Sequence, residues 1–124
     1  MAKTKAVKKV ETPEVSNREV HSWGWVETVS ENEKSKIKRL FLKKGERISL
    51  QSHQQKDIHW IVLSGFGNLK VEEVERFVGQ GAHVSILKKQ KYSIQAVKDL
   101  EMVEVQMGVC DDKDVKRYAL DEDD

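Results

Sequence analysis

Gln51 and His53 are the side chains whose types and spacing could bind a metal ion or a polar ligand. They end a strand-like segment at residues 48–53, and side chains two positions apart in a strand point to the same face. An imidazole and an amide on one face could contact the same ion or ligand. A surface hairpin with a hydrogen-bonded histidine is the simpler interpretation, and one histidine does not decide between the two.

Two strands would have to position this pair. The segment at residues 48–53 and a second one at 59–63 flank a polar turn at 54–57, which holds no apolar residue to bury. Gly45 precedes the first segment and Gly65 follows the second. This pattern is typical of a β-hairpin.

The spacing of Gly45, Gln51, His53, Ile58 and Gly65 resembles the first sequence motif of the cupins. That motif runs Gly, five residues, His-x-His, three or four residues, Glu, six residues, Gly. The resemblance covers about residues 22–108 and implies an all-β fold, the cupin double-stranded β-helix or jelly-roll barrel.

Short sequence segments make the resemblance more specific. The run from Leu50 to His53, the pair His59-Trp60 and an upstream Trp23-Gly24-Trp25 segment are similar to the cupin domain of type II mannose-6-phosphate isomerases. In that group the domain is often fused behind a mannose-1-phosphate guanylyltransferase, and the first motif usually opens with Gln instead of His.

The resemblance implies that a metal-binding member would use the side chains at four positions. In this chain only one of the four is a histidine. Ile58 stands at the Glu position, and the second motif, anchored on Gly81, places Tyr92 at its His position. An amide oxygen is a weak ligand for a transition metal, and catalytic metal sites usually keep three good protein ligands. We therefore predict no metal cofactor and a vestigial site; only an atypically active site would need a divalent metal. The vestigial positions are Gln51, His53, Ile58 and Tyr92.

The resemblance also implies a pocket for a sugar or sugar phosphate. Trp60 or Trp25 could form a stacking face, although core packing is commoner for large aromatic residues. Lysines of the 88–91 segment could lie near a phosphate, although a solvated loop is the simpler interpretation. The lysines are Lys88, Lys89 and Lys91, and the pocket candidates are Gln51, His53, Gln55, Ile58, Trp60 and Tyr92.

Three functions remain open on these grounds. The first is a sugar- or sugar-phosphate-binding domain without strong catalysis. The second is a structural module that uses the fold as a building block of an assembly. The third is an active sugar-phosphate isomerase with an atypical metal site.

Composition limits the class of protein. A length of 124 residues suits one domain, and 22 basic against 21 acidic residues predict neither nucleic acid nor membrane as a partner. The lone Cys110 allows no internal disulfide and fits a reducing compartment. No apolar stretch is long enough for a transmembrane helix or a signal peptide. We expect a cytoplasmic protein.

The charged ends set the predicted organisation. Residues 1–21 form a basic N-terminal arm, 22–108 the cupin domain and 109–124 an acidic C-terminal segment, and both termini are expected to be flexible. Residues 111–120 could form one short helix. Opposite charges on arm and tail favour a homodimer or a larger assembly. Short strands are predicted at 27–29, 36–42, 69–71, 73–78, 84–87, 92–97 and 101–106.

Overall fold

The computed structural model describes residues 18–119. Most of the predicted basic arm and the end of the acidic tail lie outside the described residues. Every regular element within this range is a strand, and the described part contains no helix that could cross a membrane. The strands are β1 (Arg18–His21), β2 (Gly24–Glu31), β3 (Ser35–Leu42), β4 (Arg47–Ser52), β5 (Lys56–Val71), β6 (Val74–Gly79), β7 (His83–Ile86), β8 (Tyr92–Gly108) and β9 (Lys116–Arg117).

The strands form one antiparallel sheet that curls around an apolar core. The main path runs β1-β2-β3-β8-β4-β9, and β5 pairs with β8 on one side and with β6 and β7 on the other. β3 and β4 both pair with β8, but at opposite ends of it. Apolar side chains at alternate positions of these strands fill the interior. The predicted all-β jelly-roll barrel is confirmed.

Two strands are longer than predicted. The separate segments expected at 59–63 and 69–71 belong to the single strand β5, and those at 92–97 and 101–106 belong to β8. β5 bends at Gly65, whose φ is +91° and where a Cβ would lie 1.9 Å from the carbonyl oxygen of Asp99. The pairing with β8 shifts register there without breaking. Gly65 bends the strand instead of ending it, because only glycine adopts this φ without strain.

Both ends of the sheet extend beyond the predicted domain. β1 pairs with β2 although it lies within the predicted arm, so the sheet includes Arg18–His21. The short helix predicted at 111–120 is wrong over the described residues, where β9 pairs with the end of β4. The carboxylate of Asp114 accepts hydrogen bonds from the backbone amides of Gln54 and Gln55, each at 2.9 Å. The C-terminal segment packs along the barrel because its polar groups form hydrogen bonds with residues of the barrel.

Candidate functional site

The barrel contains an open cavity of about 580 Å³ that is lined by its inner wall and by the C-terminal segment. This volume is within the range of small-molecule sites, about 300–1,000 Å³. Strands β1 to β5 and β8 all contribute to the lining. Its apolar residues are Trp23, Val26, Leu40, Leu42, Ile48 and Val115; its uncharged polar residues are Ser49, Gln51, Tyr92 and Gln106; and its titratable or charged residues are Glu19, His21, Lys38, Arg47, His53, Lys56, Glu104, Asp112 and Arg117.

Gln51 and His53 meet at the hydroxyl of Tyr92. Gln51 Nε2 donates to this hydroxyl at 2.8 Å, and His53 Nε2 lies 2.7 Å from it. His53 Nδ1 lies 2.6 Å from the backbone carbonyl oxygen of Asp114, which can only accept. In a neutral imidazole Nδ1 therefore carries the proton, and Nε2 accepts from Tyr92. The three side chains form a hydrogen-bond chain of fixed direction.

Burial keeps the phenol of Tyr92 and the imidazole of His53 uncharged at neutral pH. It raises the pKa of the Tyr92 hydroxyl, and the charge of Glu104 raises it further. Burial also lowers the pKa of His53, an effect that the hydrogen bond to the Asp114 carbonyl opposes and the ammonium of Lys56 adds to. A neutral phenol that donates to a neutral imidazole is consistent with these shifts.

A second polar network lies beside the first. Glu104 accepts hydrogen bonds from Trp60 Nε1 at 2.8 Å and from Gln106 Nε2 at 2.6 Å. Gln106 Oε1 in turn accepts one from Lys56 Nζ at 3.2 Å, and the same ammonium donates to the carbonyl of Asp111 at 3.3 Å. Lys56 is only 2% exposed. This network ties the floor of the cavity to the C-terminal segment.

Sequence reasoning missed Lys56, Glu104 and Gln106. Lys56 lies in the segment interpreted as a polar surface turn, but it begins β5 and points inward. The run from Val103 to Gln106 alternates apolar and polar residues, and the usual interpretation turns the valines inward. The structure reverses this, since Glu104 and Gln106 are the buried members. The alternation was visible in the sequence, whereas the face that it presents to the interior was not.

The other pocket candidates lie elsewhere. Ile58 and Trp60 are fully buried core residues, and the Trp60 ring meets Tyr92 edge to face with ring centroids 5.5 Å apart. Gln55 is exposed and lies beside a separate surface depression. Trp25 lies on the outside of the barrel, where the guanidinium of Arg18 covers its ring at 3.8 Å. None of these four residues lines the cavity.

The lysines of the 88–91 segment also lie outside the cavity lining. The backbone amide of Lys88 donates to Asp57, and that of Lys89 donates to the carbonyl of His53. The ammonium of Lys91 lies 4.5 Å from the ring centroid of Tyr118. These contacts hold the 88–91 loop against the barrel. The cations that line the cavity are therefore other residues.

The side chains at the family's metal positions do not fit a divalent ion. His53 would have to give up a hydrogen bond at either nitrogen, Ile58 has no donor atom, and the Tyr92 phenol is protonated. Over residues 18–119, no group of three or more His, Cys, Asp or Glu side chains could hold a metal ion. The Lys56 amine lies in the same interior, where burial lowers its pKa and the charge of Glu104 opposes this shift.

Comparison with known proteins identifies the family. The family described as "Mannose-6-phosphate isomerase C-terminal" matches residues 9–120. The chain belongs to this family. It is 31% identical over 100 residues to mannose-1-phosphate guanylyltransferase 2 of Escherichia coli O157:H7, which covers 78% of this chain and 21% of that protein. The chain therefore spans about a fifth of the length of such curated relatives.

Solved structures place this family member in the cupin fold, as predicted. It is similar to oxalate decarboxylase from Bacillus subtilis, with a TM-score of 0.74 and 16% identity over 83% of this chain and 30% of that one. It is also similar to Streptomyces PAC13, solved with uridine, with a TM-score of 0.76 and 14% identity over 92% of this chain and 93% of that one. At these identities the likeness concerns the fold alone.

Proposed function

We propose that this domain binds a hexose phosphate in its interior cavity through protein cations, without a metal ion and without strong catalysis. Family membership supports a sugar phosphate, since the matching relatives are named for mannose phosphates. The size of the cavity and its mixed lining are those of a small-molecule site. The chain covers only a fifth of those relatives, so their activity is not carried over with the name.

The balance of charges in the cavity carries the proposal. Among the acidic side chains of the lining, Asp112 pairs with Lys36 at 3.0 Å, Glu104 accepts the two hydrogen bonds described above, and Glu19 lies 3.7 Å from the imidazole of His21. Among the described residues, three cations of the lining make no ion pair. They are Arg47, Lys56 and Arg117.

These cations favour an anionic ligand over a neutral sugar. Arg47 and Arg117 line the cavity and are exposed to solvent, and a guanidinium suits a phosphate because it can donate two parallel hydrogen bonds. The charge of Arg117 reaches the Tyr92 hydroxyl, where it opposes the rise in pKa that burial causes. A phosphate at Arg117 would therefore place the attached sugar near Gln51 and Tyr92, whose polar groups can meet its hydroxyls.

Calorimetry on metal-stripped protein, with a chelator present, tests the proposal. We expect mannose 6-phosphate or fructose 6-phosphate to bind and uncharged mannose to bind far more weakly. Arg117→Gln should weaken phosphate binding by about ten- to a hundredfold, because a hydrogen bond to a charged group contributes roughly 1.5–3 kcal/mol. Arg76→Gln is the matched control, since Arg76 lies on β6 away from this cavity.

Two results would contradict the proposal. One is binding of sugar phosphate that requires added manganese, zinc, iron or nickel. The other is near-stoichiometric metal in the purified protein that His53→Ala removes. Either would instead support an isomerase with an atypical metal site. GDP-mannose, tested in parallel, shows whether the ligand carries a nucleotide.

Assembly is a second candidate function, favoured by a different surface. β6 pairs only with β5 among the described strands, so one edge of the sheet is free. Phe77 on this strand is 63% exposed and stacks on Phe66 with ring centroids 5.4 Å apart. Free edges and exposed aromatic side chains favour association. Light scattering at micromolar concentration should show a dimer or larger species that Phe77→Ser weakens; a monomer at every concentration argues against it.

A further inference from the structure

Trp23 is the one tryptophan that contributes to the interior cavity. The structure describes all three tryptophans of the chain, and the other two are committed elsewhere: Trp60 to the core and Trp25 to the outer surface. Trp23 is half-buried, and its neighbours in the lining include Val26, Leu40 and Leu42. Trp23 and Val26 also pack against the apolar core, so the lining contains an aromatic and apolar component beside its cations and the Gln51–Tyr92–His53 hydrogen bonds.

The backbone holds Trp23 in place. Residues 22 and 23 form a two-residue turn between β1 and β2, because His21 and Gly24 are paired. The carbonyl of Trp23 accepts a hydrogen bond from the amide of Lys43 at 2.8 Å. Gly24 has φ +149°, and a Cβ there would lie 1.8 Å from the carbonyl oxygen of Phe41. Only glycine allows the hairpin to lie this close to β3.

The side chain is held as well as the backbone. The imidazole of His21 stacks on the indole, with ring centroids 4.7 Å apart and an angle of 8° between the planes. Nε2 of His21 itself lies 3.7 Å from a carboxylate oxygen of Glu19. An aromatic surface fixed before a ligand arrives loses little conformational entropy on binding, so its contacts contribute more to affinity.

We propose that Trp23, backed by His21, is the surface against which a bound hexose phosphate rests the C–H face of its closed ring. This rests on the proposed function above and adds the form of sugar that the site selects. A closed hexose ring presents C–H groups on a face and hydroxyls around its edge, which matches the aromatic and polar parts of the lining. An acyclic sugar presents no such rigid face.

Two ligands of equal charge test this selection. Methyl α-mannoside 6-phosphate is locked as a ring, and mannitol 6-phosphate is acyclic. We expect the unmodified full chain to bind the ring form about tenfold more tightly, which corresponds to ~1.4 kcal/mol. Trp23→Ala should abolish this preference and Trp23→Phe should largely retain it. Trp25→Ala is the matched control and should leave the preference unchanged, because Trp25 lies outside the barrel.

Fluorescence provides a second measurement that does not depend on the alanine variant folding. Addition of methyl α-mannoside 6-phosphate should change the tryptophan emission of the Trp25→Phe protein but not that of Trp23→Phe. Equal affinity for the two ligands, or a preference that survives Trp23→Ala, overturns the inference and leaves the proposed function standing. Failure of both phosphates to bind overturns both. Tighter, Trp23-dependent binding of a nucleoside monophosphate also overturns the inference, because the surface would then stack a base.

Discussion

Two parts of β8 present chemically different side chains to the interior of the same barrel. Between Ile94 and Met102 the strand buries apolar side chains, at Ile94, Ala96, Leu100 and Met102, whereas further along it buries Glu104 and Gln106. Both parts belong to one continuous strand with the same alternation. The apolar part packs in the core, and the polar part faces the cavity.

The difference separates stability from recognition. Burial of a large apolar side chain stabilises a fold by about 1.5–3 kcal/mol. A buried polar group costs free energy unless each of its hydrogen bonds is made, and even then the net gain is modest. In Glu104, Gln106 and Lys56 the bonds are made by one another and by the C-terminal segment. The apolar part therefore stabilises the fold, whereas the polar part adds little net stability, as expected for the proposed binding site.

The largest effect is expected in the apolar part. Leu100→Ala should lower the free energy of unfolding by about 2–5 kcal/mol, because Leu100 is fully buried and its removal leaves a cavity. Affinity for sugar phosphate should stay unchanged, since Leu100 does not line the site. Urea unfolding and calorimetry measure the two quantities. Leu100→Met, which conserves volume, should lower the free energy of unfolding by less than about 1.5 kcal/mol. A Leu100 variant that keeps its stability but loses ligand binding would contradict the separation of stability from recognition.

A smaller loss of stability is expected in the polar part. In Glu104→Gln an amide oxygen can still accept from Trp60, but its NH₂ group meets the NH₂ of Gln106. One unmet buried group should cost roughly 1–3 kcal/mol. Glu101→Gln, on the outer face of the same strand, removes only a surface pair with Arg39 and should cost about 0–1 kcal/mol. Similar costs for the two variants in urea unfolding would contradict the comparison.

The smallest effect concerns pH. Burial lowers the pKa of His53 in the folded state below its unfolded value of about 6.5. The unfolded chain therefore binds more protons, so the stability present above pH 6.5 should be lost progressively as the pH falls below it. Lys56, Glu104 and Asp114 are the charged groups that act on this imidazole.

His53→Gln should flatten the dependence of unfolding free energy on pH between about 7 and 5, since it removes the titrating group. His83→Gln, an exposed histidine on β7, is the control. Chemical denaturation at a series of pH values measures the slopes. Equal slopes in the unmodified chain and in His53→Gln would show that other groups set the acid sensitivity.

Local patterns sufficed for the fold and for part of the site. The motif spacing around Gly45 and Gly65 predicted the cupin barrel, and strand alternation brought Gln51 and His53 to one face, where both contact Tyr92. The short helix predicted at 111–120 was wrong over the described residues. Its polar groups bond to the end of β4 and to the turn after it, and these partners are about 60 residues away in sequence.

The sequence by itself determined the alternating strands, the glycine positions and the family, because these follow from neighbours along the chain. Only the tertiary structure decided which face of each strand is the inside. Lys56, Glu104 and Gln106 became interior groups because residues distant in sequence supply their hydrogen bonds. It likewise decided which tryptophan meets the cavity, since Trp23 in the β1–β2 turn lines it and Trp25 on β2 lies outside the barrel. Residues that come into contact only when the chain folds leave no pattern in the local sequence.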